Sequence, residues 1–350
     1  NARYSRMFSV SRGTRQGSIL SVLFNIFIND LLKELNESEY GIMIGNCKFN
    51  SYAYADDISL ISATASGLQY LIHTCEGYAQ TWGFKFSTSK SKCMIYGEHM
   101  YATQPTFFLG NEKLPVVDQL DILGVTYSNN FTHDSHVETR INNCKRSYYN
   151  LNKSGMKYPG LAPDSKSYLW NSICQPTLLY GLECLDLKQK HVAQLDSTQG
   201  CLIKQCLGLG KRSRHTKLLN AMHVKSIQEV LKERVLSLYS RIFNIDSPGR
   251  DLSIYMLSVY ITSRKLYQGT LLERVVGHNI SPLSVIFNYR KSKTYFSTGD
   301  GIVDSLRHLL CREHFLKPYS DHGHLSQTIL MFCQQMARAS HQLMDMQCLL

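Results

Sequence analysis

The sequence has no apolar run long enough to span a bilayer, so a membrane-crossing helix is excluded within it and no membrane partner is expected. Its N-terminus is polar and basic, and no secretory signal is expected in it. Eleven cysteines are scattered, odd in number, with no Cys-x-x-Cys pair. That argues against a disulfide framework and for reduced thiols in an intracellular setting, cytoplasmic or nuclear. No internal repeat or low-complexity tract is present. Acidic residues are scarce where basic ones are dense: residues 140–250 hold 18 Lys and Arg against 7 Asp and Glu. The remainder balances at 20 of each, so the net charge of +11 sits entirely in that stretch. A localised basic excess suits a polyanion such as nucleic acid; the plainer alternative is a basic surface with no partner.

What is present is 350 residues, 43% hydrophobic, enough for one large domain or two smaller ones. Residues 8–17 begin as a strand and end in a glycine-bearing loop. Ser18 can cap a helix running to Leu35, whose apolar residues lie nearly all round it and predict burial on most sides. Residues 49–62 read as two short strands rich in aromatic and β-branched residues, with Asp56-Asp57 at the tip of a hairpin. Leu68, Leu71, Ile72, Cys75, Tyr78, Ala79 and Trp82 recur at helical spacing, with Thr64 or Ser66 as cap and Gly83 as stop. Residues 93–96 read as a strand. A further strand pair is expected near 106–109 and 120–127, with Leu123-Gly124-Val125 inside it. After Asn129 the pattern turns helical. Helices are marked by Val137 to Leu151, by Leu169, Trp170 and Ile173 behind Pro163, by Val192 to Cys206, and by residues 226–243. A last helix is expected over 326–346.

The acidic pair carries the chemistry. Neighbouring side chains on a regular strand point to opposite faces, and only at a turn can both carboxylates approach one point. A divalent cation such as Mg²⁺ takes hard oxygen ligands and is held by one or two carboxylates plus substrate phosphates. The pair therefore reads as a metal site for phosphoryl transfer, against the bland alternative of a solvated turn.

Three elements stand in a fixed order: Arg15-Gln16-Gly17 before an apolar helix, Tyr54-Ala55-Asp56-Asp57 on a hairpin, and Trp82-Gly83 leading to Lys90. This order resembles reverse transcriptases, most of all those of non-LTR (LINE-like) retrotransposons. Arg15-Gln-Gly-x-x-Leu-Ser21 is similar to their palm motif B, Tyr54-Ala-Asp-Asp57 to motif C, Trp82-Gly-Phe-Lys-Phe with Lys90-Ser91 to motif D, and Leu123-Gly124-Val125 to motif E. Pro176-Thr-Leu-Leu-Tyr-Gly-Leu-Glu183 and residues 199–209 resemble the helical region that follows the palm. The resemblance covers residues 5–245. Val22 departs from the family's usual proline, which touches local loop geometry. The family's motif A, which supplies a further metal-binding aspartate, has no counterpart before Phe8. The chain starts at Asn1 and enters patterned sequence at once, and it reads as a fragment lacking motif A, fingers and endonuclease.

The resemblance implies an α+β fold. Residues 1–128 would be the C-terminal portion of a right-hand polymerase palm, an antiparallel sheet with packed helices. Residues 129–247 would be a basic, helical thumb, and 248–350 a mostly helical tail of unassigned role. It implies an RNA-directed DNA polymerase using two Mg²⁺ (or Mn²⁺) ions, with RNA template, DNA primer and dNTPs as partners. Asp56 and Asp57 would be the metal ligands, and Lys90 would protonate the leaving pyrophosphate unless it is a solvated turn lysine. Gln16 and Gly17 would face the nucleotide and templating base, glycine allowing close approach. Arg15 contacts a phosphate or caps its loop, and Tyr54 packs on the primer end or in the core.

Lys145, Arg146, Lys211, Arg212, Arg214 and Lys217 are candidates for the phosphate backbone. The last four alternatively form a nuclear import signal or a plain solvated loop. Trp82 and Trp170 sit at apolar helical spacing and are expected in the core. Cys311, His314, His322, His324 and Cys333 match no familiar zinc spacing. With motif A missing, the chain alone is expected to be inactive and to need the upstream half of the polymerase. The alternatives are a dead nucleic-acid-binding remnant and a group II intron maturase-like protein.

Overall fold

The structure, a computed structural model, describes residues 20–44, 47–96, 104–153, 155–210 and 212–242. The expected tail helix and the histidine/cysteine group beyond residue 310 lie outside these residues. The described residues form two compact units, one of those up to 92 with 104–115 and the other of 93–96 with those from 116 to 242.

In the first unit, α1 (Leu20–Glu37) leads through the ribbon β1 (Ile42–Ile44) and β2 (Cys47–Phe49) to a second hairpin, β3 (Ser51–Tyr54) and β4 (Asp57–Leu60). Helix α2 (Ala65–Trp82) follows as its sequence signals predict. The Thr64 hydroxyl accepts the Gly67 N–H at 3.1 Å, and Gly83 closes the last turn at φ +70°. One stripe of α1, Ile28, Leu31 and Leu35, packs with Leu71, Cys75 and Tyr78 of α2. The all-round burial expected of α1 is not found: Leu23 is 53% and Ile26 66% exposed. The sheet and α2 cover a single face, and a helix buries only the stripe its neighbours reach. Trp82 corrects another expectation. It lies at the end of α2, 55% exposed and nearly perpendicular to Phe27 with ring centres 5.2 Å apart, while Tyr78 and Phe84 complete the aromatic group around Phe27.

The single strand pair expected between 106 and 127 is two hairpins. In the first unit β5 (Phe107–Leu109) pairs with β6 (Glu112–Leu114). In the second unit β7 (Gln119–Ile122) pairs with β8 (Val125–Ser128), and Leu123-Gly124 make the turn between them. Residues 93–96 do not form the strand predicted. Cys93 makes one parallel bridge to Val116, and Met94 instead packs on the core of the second unit.

Among its described residues the rest of the second unit is helical: α3 (Asp134–Lys153), α4 (Pro163–Leu169), a π-helical turn (Trp170–Cys174), α5 (Gln175–Leu178), α6 (Gln189–Cys206), α7 (His215–Ala221) and α8 (Ile227–Ile242). Pro163 opens α4 at its first turn, where its missing N–H costs nothing. Trp170, fully buried, lies in a core with Tyr148, Leu179, Leu195 and Leu231. Antiparallel ribbons beside packed helices make an α+β chain, as the resemblance implies. Among the described residues no helix is long and apolar enough to cross a membrane.

Candidate active site

The β3–β4 hairpin pairs Tyr54 with Asp57, which leaves Ala55 and Asp56 as the two-residue turn. The acidic pair thus straddles the tip, Asp56 in the turn and Asp57 opening β4. Both are exposed, and among the described residues no side chain bonds either carboxylate. Ala55 has φ +51°, a left-handed conformation that costs an L-residue about 1–2 kcal/mol. Two-residue hairpins usually place glycine, asparagine or aspartate at such positions. Tyr54 is half-buried beside the pair.

The base of this hairpin is tied to α1 by a residue the sequence reading passed over. Asn50 is fully buried, and its amide lies within hydrogen-bonding reach of Leu35 O, of Tyr40 O at 3.2 Å and of Ser38 Oγ at 3.3 Å. Its side-chain oxygen accepts from Ser51 Oγ at 3.1 Å, and its backbone carbonyl accepts the Ile61 N–H at 2.7 Å. Leu35 O is one of the orphan carbonyls at a helix C-terminus, so one side chain both caps α1 and fixes the strand entering the tip. Lys48 Nζ reaches Ser38 O beside it. Gly41 leaves room for this junction: a Cβ there would stand 2.7 Å from Phe49 O. A lone asparagine between an aromatic residue and a strand was the one available signal.

Lys90 is exposed in the turn after α2, its N–H donating to Ser87 O at 3.2 Å. Arg15, Gln16 and Gly17 lie outside the described residues, as does Lys211. Among the described residues no group of three or more His, Cys, Asp or Glu side chains stands ready for a metal ion. The donor set at the hairpin is the two carboxylates, hard oxygens free to share an ion with waters and phosphates.

In the second unit the structure brings together two segments that the sequence reading named separately. Tyr180, of the stretch 176–183, donates from its hydroxyl to Leu123 O at 2.9 Å, on the turn of the β7–β8 hairpin. Gly124 sits there at φ +74°, and a Cβ would stand 3.4 Å from the Tyr180 ring. The Arg140 guanidinium lies over that ring at 5.3 Å. His136, fully buried, accepts the Thr126 N–H on Nδ1 at 3.1 Å, so its Nε2–H is left to donate to Tyr180 O at 3.1 Å. Arg234 of α8 donates to Leu179 O at 2.9 Å, beside Glu183.

The candidate phosphate contacts are surface residues. Lys145 and Arg146 are exposed on α3, and Arg212, Arg214 and Lys217 are exposed before and on α7. The basic run is therefore part helix. His215 holds its start to α6 through Asp196 at 2.9 Å. Lys166 was missed: it is 4% exposed and donates to Cys206 O, the carboxyl end of α6, at 2.9 Å.

A family model for reverse transcriptase (RNA-dependent DNA polymerase) matches residues 1–127. Over 288 residues, 75% of this chain and 46% of the other, the sequence is 25% identical to a retrovirus-related Pol polyprotein of type-1 retrotransposable element R2 from Popillia japonica. It is 31% identical over 135 residues to the corresponding polyprotein of type-2 element R2DM from Drosophila melanogaster, covering 35% of this chain and 12% of that one. A Nasonia vitripennis R2 polyprotein is 30% identical over 133 residues, 35% of this chain and 13% of that protein. The chain spans less than half the length of the curated relatives it matches. Residues 1–127, which carry the acidic hairpin, are thus similar to reverse transcriptases, and the relatives are polyproteins of R2 retrotransposable elements.

Proposed function

We propose that this chain serves RNA-directed DNA synthesis for a retrotransposon, with Asp56 and Asp57 as ligands of the divalent ions, Mg²⁺ or Mn²⁺, that such polymerases use. The observation that carries the reading is the hairpin tip: two adjacent carboxylates, exposed and unclaimed by any described side chain, in the segment matched by the family. When bound, the ions would activate the primer 3′-hydroxyl and stabilise charge on the reacting phosphate. The chain's own residues do the rest. The Asn50 junction holds the tip still, and Asp56 and Asp57 supply the oxygens. A further carboxylate, as in motif A, comes from outside the described residues, because two ions crowded by phosphates need more oxygens than one hairpin offers.

Lys90, on its exposed turn, gives a proton to the leaving pyrophosphate. Gln16 and Gly17 line the nucleotide and templating base, Arg15 meets a phosphate, and Tyr54 packs on the primer end. Residues 1–128 act as part of the palm and 129–247 as a thumb, where Lys145, Arg146, Lys211, Arg212, Arg214 and Lys217 face the nucleic-acid backbone. Template RNA, primer DNA and dNTPs are the partners. Seven of the described cysteines are in no disulfide, which supports an intracellular setting.

The test is extension of a DNA primer on an RNA template by an active polypeptide containing residues 1–350. Asp56→Asn should lower the rate more than tenfold, over about 1.4 kcal/mol in barrier terms, and leave RNA binding intact. Extension within tenfold of the parent would remove Asp56 from the ion site.

A further inference from the structure

Residues 140–162 hold five cations, Arg140, Lys145, Arg146, Lys153 and Lys157, with four asparagines and no aspartate or glutamate. Three tyrosines share the stretch. Tyr148 is buried in the core, but Tyr149 is 49% and Tyr158 66% exposed. The chain leaving α3 turns back on itself. The Met156 N–H donates to Leu151 O at 3.1 Å, the Tyr158 N–H to Gly155 O at 2.8 Å, and the Met156 side chain is buried as an anchor. This return sets the Lys157 ammonium 5.7 Å from the centre of the Tyr149 ring and 5.9 Å from that of Tyr148. The result is an aromatic surface beside a cation, on a stretch of chain whose charges are all positive.

The chemistry that fits such a surface is a flat π-face linked to phosphate. Aromatic side chains beside a positive groove bind unpaired bases by stacking, at about 1–3 kcal/mol per base and with little regard to sequence. A duplex hides its base faces, so the ligand is an unpaired strand. We propose that Tyr149 and Tyr158, with Lys157 beside the Tyr149 ring, form a stacking site for the bases of single-stranded nucleic acid, while Lys145, Arg146 and Lys153 meet its phosphates. This deepens the nucleic-acid reading above and rests on it. It differs from a phosphate grip in one respect: it requires bases.

The test compares two labelled strands of equal length and equal phosphate number, one of adenosines and one abasic, in binding titrations with residues 1–350. The parent should bind the base-bearing strand at least about fivefold more tightly, the equivalent of about 1 kcal/mol of stacking. Tyr149→Leu with Tyr158→Leu should abolish that preference while leaving affinity for the abasic strand and its salt dependence unchanged, which also shows that the variant is folded. Tyr149→Trp with Tyr158→Trp should keep the preference. A double leucine variant that still prefers bases overturns the stacking site and leaves the nucleic-acid reading standing. A parent that binds neither strand overturns both.

Discussion

The amide of Asn50 bonds the carbonyl of Leu35, so the end of α1 and the root of the acidic hairpin are one structure. An alanine there would remove this bond and those to Tyr40 O and Ser38 Oγ, leaving Leu35 O and Tyr40 O only their Ser38 donors. Each hydrogen bond lost costs about 0.5–1.5 kcal/mol. Asn50→Ala is therefore expected to speed amide hydrogen exchange across β3 and β4 by tenfold or more, with α6 unchanged. Equal protection in parent and variant would mean that the hairpin is held by other contacts.

Tyr180 and Gly124 make a comparable pair in the second unit. Tyr180→Phe removes one hydrogen bond and should cost about 1 kcal/mol of unfolding free energy. Gly124→Ala places a Cβ at φ +74° in van der Waals contact with the Tyr180 ring and adds left-handed strain of about 1–2 kcal/mol. Because both changes act on one contact, the double variant should lose less than the sum of the two. Additive losses in urea denaturation would separate the turn from the tyrosine.

His133 makes the stability of this chain dependent on pH. Burial pulls its imidazole down to about 4 from 6.5, with His191, His136 and Lys188 adding repulsion and Asp134 opposing them. The folded value lies below the unfolded one, so folding favours the neutral ring. The contribution, about 3 kcal/mol, is fully present above pH 6.5, is lost as pH falls, and is gone below about pH 4. Between pH 7 and pH 5 it should account for about 2 kcal/mol of lost stability. His133→Gln should flatten the curve of unfolding free energy against pH by that amount. A variant with the parent's slope would place the titration elsewhere.

The hairpin and α2 were legible because their signals are local: β-rich flanks around an acidic turn, Thr64 at one end, Gly83 at the other. What a helix could bury was also legible, but what covers it was not. Hence α1 shows Leu23 and Ile26 exposed, and Trp82 sits at a rim while Trp170, at similar spacing, is fully buried. Residues 93–96 have strand chemistry but only one bridging partner, and a strand needs a ladder. Asn50, Lys166 and His136 were invisible for another reason. A single buried polar residue leaves no periodic trace. Its place depends on a partner far along the chain, 40 residues away for Lys166 and Cys206. At the site itself the carboxylates were readable, and the asparagine that anchors them was not.

The central claim is that Asp56 holds a catalytic cation. A thiolate in its place would be a poor ligand for Mg²⁺ and a better one for softer ions. The deciding measurement is primer extension on RNA by Asp56→Cys, in an active polypeptide containing residues 1–350, with Mg²⁺ alone and with Mg²⁺ supplemented by Cd²⁺ or Mn²⁺. The account predicts a loss of more than tenfold in Mg²⁺ and a partial recovery with the softer ion, absent from an Asp56→Ala control. An equal loss under every ion, or full activity in Mg²⁺, would contradict it.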